Sequence, residues 1–216
     1  MKYIIGLTTL LTLGHVFSIA QFNHGLQAGM NISYIKSQTT NAPEAATGGH
    51  FGWYGQIQFK NDLTLVTGIS FSDKGFIKEH VRRHFIYAMM PVMARYPLWK
   101  KLSIEAGGGI GFLAYDDAKY DPKWGRVPNE LGRDIWKNRF DAQLSDGIQY
   151  QVSQRLGLVL RYEHGLSNLV GDAAVHFQQS GSDPMYDQDP ITYRDLGIKD
   201  LNRNFQLSLS YSLTHK

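Results

Sequence analysis

The chain has 216 residues, with 22 Lys+Arg against 19 Asp+Glu, and no cysteine. A balance this even offers no case for nucleic acid; without thiols there is no disulfide framework, thiolate metal site, cysteine nucleophile or acylated lipoprotein cysteine. Its 22 Gly, 12 Tyr and 11 Phe, with few helical stretches, favour β structure in a single domain of ordinary size.

The first element is a targeting segment. Lys2 precedes an apolar run from Tyr3 to Ala20, in which His15 is the one strongly polar residue, and the run ends in Ser18-Ile19-Ala20 before Gln21. A charged start, an apolar middle and a small-x-small exit form the layout of a secretory signal peptide. Cleavage after Ala20 is expected, with residues 21–216 as the mature domain. The alternative is a membrane anchor, for which the run is barely long enough. Beyond it, no apolar run is long enough for a transmembrane helix.

From Gln21 onward the pattern has period two, the signature of strands. Leu26, Ala28, Met30, Ile32 and Tyr34 alternate with Gly25, Gln27, Gly29, Asn31 and Ser33. Phe51, Trp53, Ile57 and Phe59 alternate with Gly52, Tyr54, Gln56 and Gln58, and Leu63, Leu65, Ile69 and Phe71 with Thr64, Gly68, Ser70 and Ser72. The run Phe85 to Tyr96 is more apolar, but its Pro91 and its length suit a strand. Leu102 to Ala114 forms the next. Phe140 to Tyr150, Leu156 to Glu163 and Phe205 to Thr214 alternate again. Eight strands are therefore expected, joined by tight turns at Lys60-Asn61-Asp62, 97–101 and Ser153-Gln154. Long connections near 35–48, 73–83, 115–137 and 168–202 fall between them. Short turns at one end and long loops at the other mark outer-membrane barrels, and strands of about 9–11 residues suffice to cross a bilayer.

The face that meets lipid follows from the polar side. It is rich in Gly and Ser and poor in Lys and Glu, unlike a soluble surface. Aromatics such as Tyr34, Phe59, Tyr96, Phe112, Phe140, Tyr150 and Tyr211 sit near strand ends on the apolar face, as interfacial girdles do. The expected fold is all-β: an eight-stranded antiparallel up-and-down transmembrane β-barrel in the outer membrane of a Gram-negative bacterium. Its termini should be periplasmic and its long loops external. The expected partners are outer-membrane lipid and a protein at the loops, with no nucleic acid, and the expected state is a monomer.

Several segments, in order, resemble one family. Gly25-Leu26-Gln27-Ala28-Gly29-Met30-Asn31 resembles its first strand, Pro91 matches its fourth, and Ile104-Glu105-Ala106-Gly107 its fifth. Arg161-Tyr162-Glu163-His164-Gly165-Leu166-Ser167-Asn168 resembles the R-Y-x-x-G-L-x-N end of its seventh strand, and Asn202 to Tyr211 its closing strand. These are the PorT-like outer-membrane β-barrel proteins. The resemblance spans the mature chain and implies the OmpA-like or OmpX-like barrel. Two departures stand out: Met89 replaces the family's frequent inward acid, and the terminal Leu213-Thr214-His215-Lys216 lacks an aromatic. The expected function is a structural or surface-binding role carried by the long external loops; the family's founding member resembles an accessory of protein secretion, and that role stands as an alternative.

The inward face holds Arg95, Glu105, Asp141, Arg161 and Glu163, with Lys60 near a turn. An eight-stranded lumen is just wide enough to be filled by side chains, and charges there must pair. A structural lumen network is expected; an ion path or gated pore is the sharper alternative. Asp146 falls at an outward position, and a β-bulge turning it inward is the preferred explanation, a protein partner the other. No catalytic, cofactor-binding or metal-ligating residue is assigned. His80 and His84 sit in an expected loop. The acidic run Asp183-Pro184-Met185-Tyr186-Asp187-Gln188-Asp189 lacks EF-hand spacing. His164, Ser167 and Glu163 suggest a rim enzyme acting on lipid or peptide, yet Glu163 and His164 face opposite sides. Gly109-Ile110-Gly111-Phe112-Leu113-Ala114 matches the dinucleotide fingerprint G-x-G-x-x-G/A, but it lies inside a strand, where no helix opens. Its inward glycines should instead make room for side chains such as Tyr87 and Met93.

Overall fold

A computed structural model describes residues 21–36, 43–59, 61–78, 81–120, 139–167, 174–175, 191–192 and 201–214. The strands are β1 (Gln21–Lys36), β2 (Glu44–Gln58), β3 (Thr64–Lys78), β4 (Val81–Pro97), β5 (Leu102–Tyr120), β6 (Phe140–Gln151) and β7 (Leu156–Gly165), followed by β8 (Ala174–Val175), β9 (Ile191–Thr192) and β10 (Leu201–Ser212). Eight of them close a barrel in the order β1-β10-β7-β6-β5-β4-β3-β2, every neighbouring pair antiparallel. β8 and β9 pair only with each other, inside a connection expected as loop. The segment 1–20, the acidic run 183–189, His80 and Lys60 lie outside the described residues.

The wall inverts the order of a soluble protein. Met30 is 62% exposed on the outer surface, while Asn31 beside it is wholly buried within. The same contrast separates Leu144 from Asp141 and Leu209 from Ser208. Because the described outer surface is apolar and the described interior polar, the stable surroundings are lipid. Phe22, Tyr96, Tyr150 and Tyr211 stand outward at the turn end, and Phe112 packs edge-on against Phe140, 6.3 Å between centroids, toward the other. The strands tilt: stepping across ladders from Met30 leads through Leu207, Leu160, Ile148 and Ile104 to Tyr96, at the very end of β4.

The tight turns are hydrogen-bonded as hairpins. Phe59 N–H donates to Leu63 O at 2.8 Å, and Val152 N–H to Leu156 O at 2.9 Å. Asp62 takes a left-handed φ of 65° in the first, a conformation that aspartate tolerates better than most residues. At the other end the strands run further than alternation suggests, because β1 reaches Lys36, β2 starts at Glu44, β3 reaches Lys78 and β4 starts at Val81. Much of 35–48 and 73–83 is therefore strand and not loop. Outside the bilayer nothing demands an apolar outer face, so periodicity fades while backbone pairing continues. His84 accordingly lies on β4, facing outward, 3.2 Å from Asp73 Oδ1.

Two local irregularities interrupt the ladders of β4. The β3–β4 ladder lapses opposite Met90 and Pro91, where proline has no N–H to give. β5 carries a bulge at Ala114, which is skipped as Tyr87 pairs Leu113 and Ile86 pairs Tyr115.

The bulge expected at Asp146 is absent. β6 keeps unbroken register with both neighbours; Asp146 pairs with Ala106 and Tyr162 and is exposed on the outer wall. A bulge there would have thrown Asp141, Gln143, Ser145 or Gln149 out of the lumen, where all are buried. Asp146→Leu should therefore stabilise the barrel in lipid vesicles by about 1–2 kcal/mol, since a lipid-facing acid is unfavourable though less so than Lys or Arg. Urea unfolding in vesicles checks this, and a destabilised variant would show that the outer wall supplies Asp146 with a partner.

Candidate functional site in the barrel lumen

The barrel interior is stacked in tiers, each set by the side chains that alternate inward. Toward the long-hairpin end an apolar cluster of Ile35, Phe76, Phe85, Tyr87 and Met89 fills the bore, with Leu113 packed against it. Met89 thus puts a thioether into an apolar tier where PorT-like proteins often place an acid. The glycines of β5 make this possible. A Cβ on Gly111 would collide with Met89 Sδ and come within 3.4 Å of Tyr87, and one on Gly107 would lie 3.0 Å from Met93 Sδ. Those glycines give room to bulky neighbours, as expected from the pattern, and the strand runs on past them to Tyr120.

Beneath the apolar tier lies Lys74, 1% exposed. Its Nζ is 3.0 Å from Glu163 Oε2 and donates to Gln143 Oε1 at 2.9 Å. Asn204 Nδ2 donates to the same Glu163 oxygen at 2.9 Å, and Asn202 Nδ2 donates to Asp141 Oδ2 at 3.0 Å. Nearer the turn end, Glu105 is held between two guanidiniums. Arg95 Nε and Nη2 both donate to Oε1, the first at 2.7 Å, and Arg161 Nη2 donates to Oε2 at 2.9 Å. Arg161 also reaches Gln206 Oε1 at 3.4 Å. Cations Lys74, Arg95 and Arg161 thus balance acids Glu105, Asp141 and Glu163 across the tier. Unpaired, any one of them would be very costly in so narrow a space.

Of the five lumen charges expected from the pattern, the structure brings Arg95, Glu105 and Arg161 into one clamp. Glu163 and Asp141 lie higher, in the surroundings of Lys74. Lys74 escapes the alternation pattern because it sits past Ser72, where the sequence suggests a loop. The signal was present, since Thr64, Val66, Gly68, Ser70 and Ser72 extend by parity to 74. His50 escapes the pattern too; its Nε2 lies 2.9 Å from Ser208 Oγ.

The arrangement does little that resembles catalysis. Glu163 is committed to Lys74 inside the lumen, whereas His164 faces outward, edge-on to Tyr162 at 6.5 Å. Ser167 Oγ accepts the backbone N–H of Ala142 at 2.8 Å. The three do not form a relay. Among the described residues, no group of three or more His, Cys, Asp or Glu could hold a metal ion. A void of about 20 Å³ beside His50, Tyr54, Val66, Met93 and Arg161 has room for about one water. In the β4–β5 extension beyond the membrane, Asp116 lies 3.3 Å from Arg83 Nη1; burial pushes its carboxyl above the ordinary range, although Arg83 pulls it down.

Among solved structures, the chain is similar to Ail, the attachment invasion locus protein of Yersinia pestis, with TM-score 0.47 and 12% identity over 89% of this chain and 99% of that one. Ail in complex with the heparin analogue sucrose octasulfate gives TM-score 0.46 at 13% identity, over 89% and 99%. Neisserial surface protein A, NspA, gives TM-score 0.48 at 10% identity, over 87% and 96%. Comparison with curated proteins finds no match. A family model described as an outer membrane protein beta-barrel domain matches residues 18–171, well over half of the chain. With its closed barrel and lipid-facing apolar wall, the chain belongs to that outer-membrane β-barrel family.

Proposed function

We propose that this barrel is a sealed, monomeric scaffold in the outer membrane whose work is done by its outward hairpins, which engage a partner at the cell surface. Residues 1–20 act as an export signal removed after Ala20. The tight turns and both termini face the periplasm. The resemblance of the ordered motifs from Gly25 to Tyr211 to PorT-like proteins supports reading the chain as one of them. The observation that carries the reading is the filled lumen, with an apolar cluster above and paired charges below. A bore packed in this way conducts nothing larger than water, which leaves the outward hairpins as the part free to engage a partner. The lumen charges Arg95, Glu105, Asp141, Arg161 and Glu163 are structural in this reading.

The role of the charges is testable by breaking one pair. Lys74→Met should cost about 3–5 kcal/mol, because it leaves Glu163 buried without its cation. Lys74→Met with Glu163→Gln should recover most of that loss. Urea unfolding in lipid vesicles, followed by tryptophan fluorescence, distinguishes the two. An unchanged single variant would remove the structural role.

Topology is testable because the chain has no cysteine of its own. Asp187→Cys should react with a membrane-impermeant maleimide in intact cells, and Asp62→Cys only after the outer membrane is permeabilised. The reverse pattern would invert the proposed orientation.

A further inference from the structure

Below the Arg95–Glu105–Arg161 clamp the lumen widens into a blind cup of about 510 Å³, open at the turn end. That volume is in the range of small-molecule sites. Its floor is made by Arg95 and Tyr54, and above them Val66 and Met93 pack with Tyr54 and close the bore. The walls are almost entirely amides and hydroxyls, among them Gln56, Gln58, Gln149, Gln151, Ser210 and Ser212. These are inward positions of β2, β6 and β10, so the parity of the strands aims them all at one space. Lys100 and Lys101 stand at the mouth, and among the described residues that line it Asp62 is the one acid. Trp99 completes the rim and is 79% exposed.

We propose that this cup is a binding site for an acidic oligosaccharide. Neutral amides and hydroxyls in convergent array exchange hydrogen bonds with sugar hydroxyls. An exposed indole at the rim offers an apolar face to a pyranose ring. The lysines at the mouth favour a ligand that carries carboxylates. An acidic peptide would satisfy the cations equally, but it makes less use of the amide-rich wall and the indole. The site is closed at its inner end, so the ligand enters and leaves by the same mouth and is bound without being transported. The proposal rests on the reading that the turns face the periplasm only for the compartment in which the glycan is met; cysteine labelling at Asp62 reports that separately.

The test uses the full mature barrel in lipid nanodiscs, titrated by calorimetry with tetragalacturonate, with maltotetraose and hexaglutamate as the neutral sugar and the acidic peptide. Saturable binding of tetragalacturonate alone is expected. Lys100→Ala with Lys101→Ala should weaken it about tenfold, a loss of about 1.4 kcal/mol, and Gln58→Trp, which narrows the cup and removes a wall amide, should weaken it by about tenfold or more. Each variant is first shown to keep the heat-modifiable gel shift of a folded barrel. No saturable binding of tetragalacturonate, equal binding of hexaglutamate, equal binding of maltotetraose, or full affinity in the Gln58→Trp variant would each overturn the proposal.

Discussion

In lipid a backbone N–H has no water to turn to, so the first and last strands of a membrane sheet must find each other. Here β1 and β10 pair over a long register from Gly25↔Ser212 to Lys36↔Leu201, and Leu213 N–H donates back to His24 O at 2.8 Å. The rest of the architecture follows from that closure. Eight strands joined in a ring must tilt, and the resulting bore is as narrow as the side chains that line it. The apolar face is then compelled outward and the polar face inward. Inward charges have no solvent to fall back on and must neutralise one another.

The same narrowness governs which residues can stand opposite each other. Met89, Met93 and Tyr87 are accommodated because β5 presents Gly107 and Gly111 to them. Glu105 can hold two guanidiniums because Arg95 and Arg161 come from strands on either side of it, through β4↔β5 and the β5↔β6↔β7 ladders. Glycine and charge are thus two responses to one crowding problem. One removes volume, and the other removes the electrostatic cost of filling the volume with ionised groups.

Most of this wall was legible in the residues alone, because lipid enforces alternation and alternation names the face of each side chain. Arg95, Glu105 and Arg161 were recognisable as inward, and their meeting could be anticipated from the width of the bore. Legibility ended where lipid ends. Past Ser72 and before Phe85 the outer face no longer has to be apolar, so Lys74 was hidden in what read as loop although it is a central lumen cation. Asp146 failed for the opposite reason. The pattern placed it outward correctly, and the expectation of a rescuing bulge assumed that one carboxylate outweighs the register of a whole strand. The buried Asp141, Gln143, Ser145 and Gln149 show which of the two prevails.

The bulge at Ala114 has a consequence for how the molecule can vary. Below it, β5 shows lipid its even-numbered residues; above it the assignment flips, and Asp116 turns in toward Arg83. The strand therefore contains its own change of frame, placed where the bilayer gives way to water. An insertion or deletion beyond that point alters the outer hairpin without shifting which residues of the wall touch lipid. Length changes can accumulate at the long-hairpin end while the transmembrane wall stays in phase, so that end is free to diversify on an unchanging base.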